Sequence, residues 1–333
     1  LMGGYPVANP GVISEVDRYL RTATLLGPVS GVEDSQHGQG ILLPNIFFVD
    51  SSAGSDGNSG LDPRRALATL QAAIDLCGAN RGDIIMLGIG HNDSLAAGGA
   101  GALTLNVAGV AIVGTGVGSL RSAITFTGAT DTVVISAANM SFSNLSFEAG
   151  VAQVATGLDI GAVDGLSFDN CYFLAAGGAP DTLNYVDVIN LETGADDISF
   201  NKCKFFGRDT LNDQFIVGVA HDGLYIDDCL FLQVVAQDST VPLIEFTGAV
   251  TNIEIKNSSF YHNLQDGLFI IGSSGTNSGV IADCMFGGAD TADSETLGVD
   301  LTGAHAFECY FSGAVGGWGI AGGGATAIYN SAA

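Results

Sequence analysis

One short pattern recurs through the second half of the chain and restricts what the chain can fold into. It reads LSFDNCYF over Leu166–Phe173, ISFNKCKF over Ile198–Phe205 and LYIDDCLF over Leu224–Phe231. It continues as IEIKNSSF over Ile253–Phe260, GVIADCMF over Gly279–Phe286 and AHAFECYF over Ala304–Phe311, with an earlier copy, MSFSNLSF, over Met140–Phe147. Taking the sixth position as a marker gives Leu145, Cys171, Cys203, Cys229, Ser258, Cys284 and Cys309, at intervals of 26, 32, 26, 29, 26 and 25 residues. A fixed period of that size signals stacked repeats, none of which buries its apolar face alone.

The copies lack a 3.6-residue period and are rich in β-branched and aromatic residues, which favours strands. The inward-outward alternation slips once per copy. Phe168 points in, then Asp169 and Asn170 intervene, and Cys171 and Phe173 point in again. A strand of period two makes that phase change only by bending. Asn tolerates the left-handed backbone of such a corner, and Asn144, Asn170 and Asn257 occupy it. Each repeat is therefore expected to be a coil of short strands, with successive coils paired in parallel about 4.8 Å apart. Residues at equal offsets then form columns. Two positions after the marker, all seven copies carry Phe, from Phe147 to Phe311. This column is the expected spine of the core.

These copies resemble the repeats of the pectin-lyase-like parallel β-helix proteins, whose coils read as an aliphatic pair, Asn, a small residue and Phe. Upstream, Phe48–Asp50, Gly54–Gly60, Ala68–Ile74 and Gly82–Ile85 are similar to the segment that opens many extracellular and phage β-helix proteins. There a strand and an amphipathic helix plug the end of the solenoid. Leu67, Leu70, Ala73, Ile74 and Cys77 share one helical face. Where the family has Pro-Gly-x-Tyr after this segment, the chain has Gly88–His91. The implied fold is all-β: a single-stranded, right-handed parallel β-helix of roughly nine coils, with a short N-terminal helix or arm and a capping helix over 67–78. The expected organisation is an arm over 1–46, a β-helix over 47–315 and a Gly/Ala-rich cap or arm over 316–333. In the arm, Val12, Val16, Tyr19, Leu20 and Ala23 suggest an amphipathic helix; the arm either covers the first coil or docks onto a partner.

Charge narrows the partners. Ten Lys and Arg against 35 Asp and Glu give a net charge of −25, which excludes a phosphate-binding surface for nucleic acid. No run of 18 or more apolar residues occurs, so no membrane span is expected. The opening Leu1–Pro6 has neither a basic nor an apolar leader region, so no export signal is expected. The excess of Asp over Glu leaves room for structural Ca²⁺, the one cofactor considered; otherwise none is expected. Five of the six cysteines share one inward column, which reads as a ladder of small buried residues carrying free thiols.

A catalytic set is hard to assemble. Lyases of the resembled fold use Ca²⁺-binding carboxylates and a proton-abstracting Arg. In the repeats the cations are Lys202, Lys204, Arg208 and Lys256, so Arg208 is the only Arg candidate. Asp196-Asp197 and Asp227-Asp228 are the nearest approach to paired acids, which makes Asp197, Arg208, Asp227 and Asp228 the candidates for a lyase or glycosidase. Columns about 5 Å apart let almost any acidic stripe meet the carboxylate spacing of a glycosidase, so such pairs carry little weight. Lys202 beside Asp228 and Lys256 beside Asp227 read as surface ion pairs. Asp283 beside Glu308 is a like-charge pair. The histidines His221, His262 and His305 do not stack, and aromatic sugar platforms are scarce, with the single tryptophan at Trp318.

A second column faces outward: Tyr172, Leu230, Met285 and Tyr310 one position after the marker, with Leu174, Phe206, Leu232 and Tyr261 beyond. A stripe of that kind is unusual on a solvated face and marks a contact. Phage β-helix proteins of this type pack side by side as trimers, so the stripe is expected to make a homo-oligomer contact. The leading expectation is a non-enzymatic structural protein of a phage-type virion: a capsid decoration, head fibre or tail-spike-like appendage exposed to the extracellular medium. The arm would meet other virion proteins, and the resemblance admits a host-surface glycan as a contact. A polysaccharide lyase or glycoside hydrolase is the alternative.

Overall fold

The computed structural model describes residues 43–95, 102–175, 183–207, 214–233, 242–262, 268–272, 277–288, 298–301, 303–312, 319–321 and 328–330. Residues 1–42 of the expected arm and most of the segment after 315 lie outside the described residues, and the solenoid belongs to a unit that begins at Leu43. It is a parallel β-solenoid of three sheets, A, B and C, holding ten, ten and nine strands. One coil illustrates the path: Ser167–Asp169 lies in sheet A, Tyr172–Ala175 in B and Tyr185–Leu191 in C, and Ile198–Asn201 returns to A. Each strand pairs in parallel with the same strand of the next coil, so Phe168 faces Phe200 and Tyr172 faces Lys204.

The corner between sheets A and B is where the repeat makes its phase change. All seven residues before the marker have a left-handed backbone: Asn144, Asn170, Lys202, Asp228, Asn257, Asp283 and Glu308, with φ between 49° and 59°. Lys202 and Glu308 take this conformation although it favours Asn, because in-register pairing on both sides of the corner fixes the path. Carbonyl oxygens beside the corner lie within reach of the marker side chain. Cys203 Sγ–H reaches the carbonyls of Phe168 and Asn201 at 3.4 and 3.5 Å, and Cys229 Sγ–H those of Phe200 and Asp227 at 3.5 and 3.3 Å. Ser258 does the same with its hydroxyl, donating to Lys256 O at 2.7 Å. A small side chain with a donor suits the site: it is buried there and adds a weak second bond to carbonyls that already accept backbone N–H groups, as Asn201 O does from Asn170 N at 2.8 Å and Asp227 O from Lys202 N at 3.0 Å. All six cysteines are free thiols.

The core is the expected column of rings. Phe147, Phe173, Phe205, Phe231, Phe260 and Phe286 stack in series, with centroids 5.1, 4.6, 4.5, 4.7 and 5.0 Å apart. Phe311 continues the register beside Phe286. A second, shorter stack on sheet A joins Phe142, Phe168 and Phe200 at 4.6 and 5.0 Å. Offset stacks of buried rings add to the transfer term, about 1.5–3 kcal/mol per ring.

The open end is closed by α1 (Leu70–Leu76), which buries Leu70, Ala73 and Ile74 against the first coils. It is shorter than the expected 67–78. Thr69 is the N-cap in extended conformation, its hydroxyl accepting from the Ala72 N–H, while the N–H groups of Ala68 and Thr69 donate to Asp56. Leu67 is buried before the helix, in a bridge with Val49, and Cys77 is the C-cap rather than a helical residue. Asp83 holds the cap in place. Its buried carboxylate accepts from Asn45 N, Gly78 N and the Arg81 guanidinium. Burial opposes its ionisation, but the Arg81 contact and the two backbone donors outweigh this and keep its pKa below the usual carboxylate range.

Candidate functional site

With the core filled, chemistry is left to the outer faces of the three sheets. On sheet A the outward residues form short polar ladders. Asn201 Nδ2 donates to Asp169 at 2.6 Å, and Asn257 Nδ2 to Asp227 at 2.8 Å. The expected Lys256–Asp227 pair does not form: Lys256 turns to Glu254 on its own strand, and Asp227 takes the Asn257 amide. Nor does Lys202 pair with Asp228, although both occupy the left-handed corner in adjacent coils.

Sheet B carries the apolar stripe. Register places Ser146, Tyr172, Lys204, Leu230, Ser259, Met285 and Tyr310 in one column, and Glu148, Leu174, Phe206, Leu232 and Tyr261 in its neighbour. Met285 and Tyr310 are more than half exposed, at 53% and 55%. At its lower part the stripe is cationic. Arg121 lies over the Tyr172 ring at 3.8 Å and Lys204 approaches the same ring at 5.0 Å. Such contacts hold an aromatic ring rigidly between two cations.

Sheet C is the acidic face. Asp159, Asn190, Val217 and Glu245 share an outward column, and Asp187 and Gln214 lie in another. Asn190 Nδ2 donates to Asp159 at 2.8 Å and Gln214 Nε2 to Glu245 at 2.5 Å. A groove of about 340 Å³ opens here, lined by Thr130, Thr132, Ala155, Thr156, Asp159, Asn190 and Glu192. Burial, and secondarily the Glu245 carboxylate, raise the Asp187 carboxyl above its ordinary pKa. Where sheet C turns into sheet A, Asp222 accepts from Thr251 Oγ1 and Asn252 Nδ2, both at 2.6 Å, which lowers its pKa.

The solved structure of pectate lyase Pel9A superposes with a TM-score of 0.60 at 13% identity, covering 87% of this chain and 80% of its own. In fold, the chain is a parallel β-solenoid similar to that of Pel9A. A rhamnogalacturonan lyase aligns at TM-score 0.46 and 13% identity over 86% of this chain and 88% of its own. ORF18 of Geobacillus virus E2 aligns at TM-score 0.39 and 15% identity, over 90% of this chain and 64% of its own. No family profile and no curated protein matches the sequence. At these identities the likeness is one of fold.

Within this solenoid the sequence-derived acids do not converge. Asp197 sits at the corner before sheet A and accepts from Tyr225 Oη at 3.3 Å. Asp227 and Asp228 lie at the opposite edge of that sheet, four residues along the strand, since Ile198 pairs with Leu224 and Asn201 with Asp227. That is about 13 Å of extended chain, beyond the roughly 5–9.5 Å of a glycosidase pair. Arg208 lies outside the described residues. In the loop that begins at Asp50 the carboxylates are engaged by nearby backbone: Asp50 accepts from Ser52 and Ala53, and Asp56 from Ala68 and Thr69 before α1. Among the described residues no cluster of three His, Cys, Asp or Glu is spaced to hold a metal ion.

The polar residues of sheet C escaped sequence reasoning. Segments between sheets B and C vary in length, so a register anchored on the marker drifts before it reaches C. A signal was present in the apolar-x-apolar triplets Leu158–Ile160, Ile189–Leu191 and Ile244–Phe246, whose central residues Asp159, Asn190 and Glu245 all face outward.

Proposed function

We propose that this protein is a non-enzymatic structural component of a phage-type virion, a capsid decoration, head fibre or spike-like appendage whose outer faces pack against neighbours. The observation that carries the reading is the stripe on sheet B. Tyr172, Leu174, Phe206, Leu230, Leu232, Tyr261, Met285 and Tyr310 make two adjacent columns that run along the solenoid for about 24 Å, at about 4.8 Å per coil. A surface of that length, apolar but for Lys204 and Ser259, on so acidic a chain suits a lasting contact with another protein. Its occupant in this reading is a further copy of the chain, and the arm over 1–46 anchors the assembly to other virion proteins. The experiment is light scattering on the variant carrying Leu230→Glu and Leu232→Glu. The wild type is expected as an oligomer, with a trimer the expected state, and the variant as a monomer; an unchanged mass contradicts the reading.

One observation favours a second reading, a polysaccharide lyase or glycosidase. Asp187 is a desolvated carboxyl of raised pKa, with the Glu245 carboxylate near enough to affect it. A carboxyl whose ionisation is opposed by burial, close to a second carboxylate, is an arrangement that suits general acid work. Release of reducing ends or unsaturated uronate from a polysaccharide panel, abolished by Asp187→Asn, supports this reading against the first.

A further inference from the structure

We propose that sheet B of one copy docks on sheet C of the next, head to tail, with Arg121, Tyr172 and Lys204 entering the acidic groove beside Asp159 and Glu192. This rests on the reading of sheet B as a contact between copies and adds the face that it meets. Three observations carry it. First, Arg121 and Lys204 stand on the stripe of a chain of net charge −25, and among the described residues neither has a carboxylate partner. Arg121 donates from Nη1 to Asn170 O at 2.6 Å, and its buried Nε–H has no acceptor. Second, the groove on sheet C is lined by two carboxylates, three threonines, an alanine and an asparagine, with no cation. Third, the two surfaces lie at one height. The strand Tyr172–Ala175 of sheet B leads into Tyr185–Leu191 of sheet C in the same coil, so copies standing side by side with parallel axes bring Tyr172 level with Asn190 and Glu192.

A contact between unlike faces closes into a ring or continues as a filament. Opposite charges across it set register and orientation and make assembly sensitive to salt. Zero-length carbodiimide coupling of the wild-type oligomer, read by mass spectrometry, is expected to join Lys204 of one copy to Glu192 or Asp159 of another. Coupling of Lys204 to Glu148 between copies would mean sheet B against sheet B and overturns the proposal. The double variant Arg121→Glu with Lys204→Glu is expected to weaken association at least about tenfold. Adding Asp159→Lys and Glu192→Lys to it is expected to restore the mass, with circular dichroism confirming that each variant is folded. If the variants do not fold, a wild-type mass that stays constant up to about 1 M salt counts against the proposal. A wild-type oligomer unaffected by the double variant overturns this contact and leaves the proposed function standing; a wild-type monomer overturns both.

Discussion

His221 shows how a single side chain can set the acid limit of a solenoid. It is buried at 5% exposure, edge-on to Phe246, and neither ring nitrogen has a partner. Burial, only partly offset by Asp196, lowers its pKa to about 4 from 6.5. The unfolded chain therefore takes up a proton at a higher pH than the folded one does. Stability is intact above about pH 6.5 and falls between that pH and about 4, by roughly 3 kcal/mol in all. Denaturant unfolding at pH 7 and pH 4 should show this loss in the wild type, and His221→Leu should reduce it by a similar amount. An identical pH dependence in the variant contradicts the assignment. The corner residues teach a related lesson about reading sequence. Asn144 and Asn170 announced the left-handed corner by residue type; Lys202 and Glu308 did not, and adopt it only because pairing between coils imposes it.

At the scale of elements, the Phe column separates what was legible from what was not. The rings were readable because they recur at a fixed offset from a corner whose geometry is invariant, and the structure stacks them in order. The cap helix was readable in its apolar face but not in its ends, which depend on Asp56 and Thr69 meeting across the preceding turn. The outward face of sheet C lay beyond a marker-based register, and the proposed groove with it. Phe205 tests the column as an element. It is sandwiched between Phe173 at 4.6 Å and Phe231 at 4.5 Å, so nothing nearby can close over a lost ring. Phe205→Ala should cost about 3–5 kcal/mol by chemical denaturation. A cost below about 1 kcal/mol would mean that the column is not the spine of the core.

For the whole molecule, function follows from where the solenoid puts its unlike faces. Sheet A is laddered by its own amides, sheet B is apolar with two cations, and sheet C is acidic and grooved. A solenoid with such faces is suited to lateral packing, and the chain's net charge of −25 keeps mismatched copies apart at low salt. Electron cryomicroscopy of the purified full chain tests this most directly. The account predicts copies standing side by side with parallel axes, Leu230 and Leu232 buried between them, and each Phe column continuous within its own copy. A map of single, unpaired solenoids, or of copies meeting through sheet A with the sheet B stripe left in solvent, would contradict it.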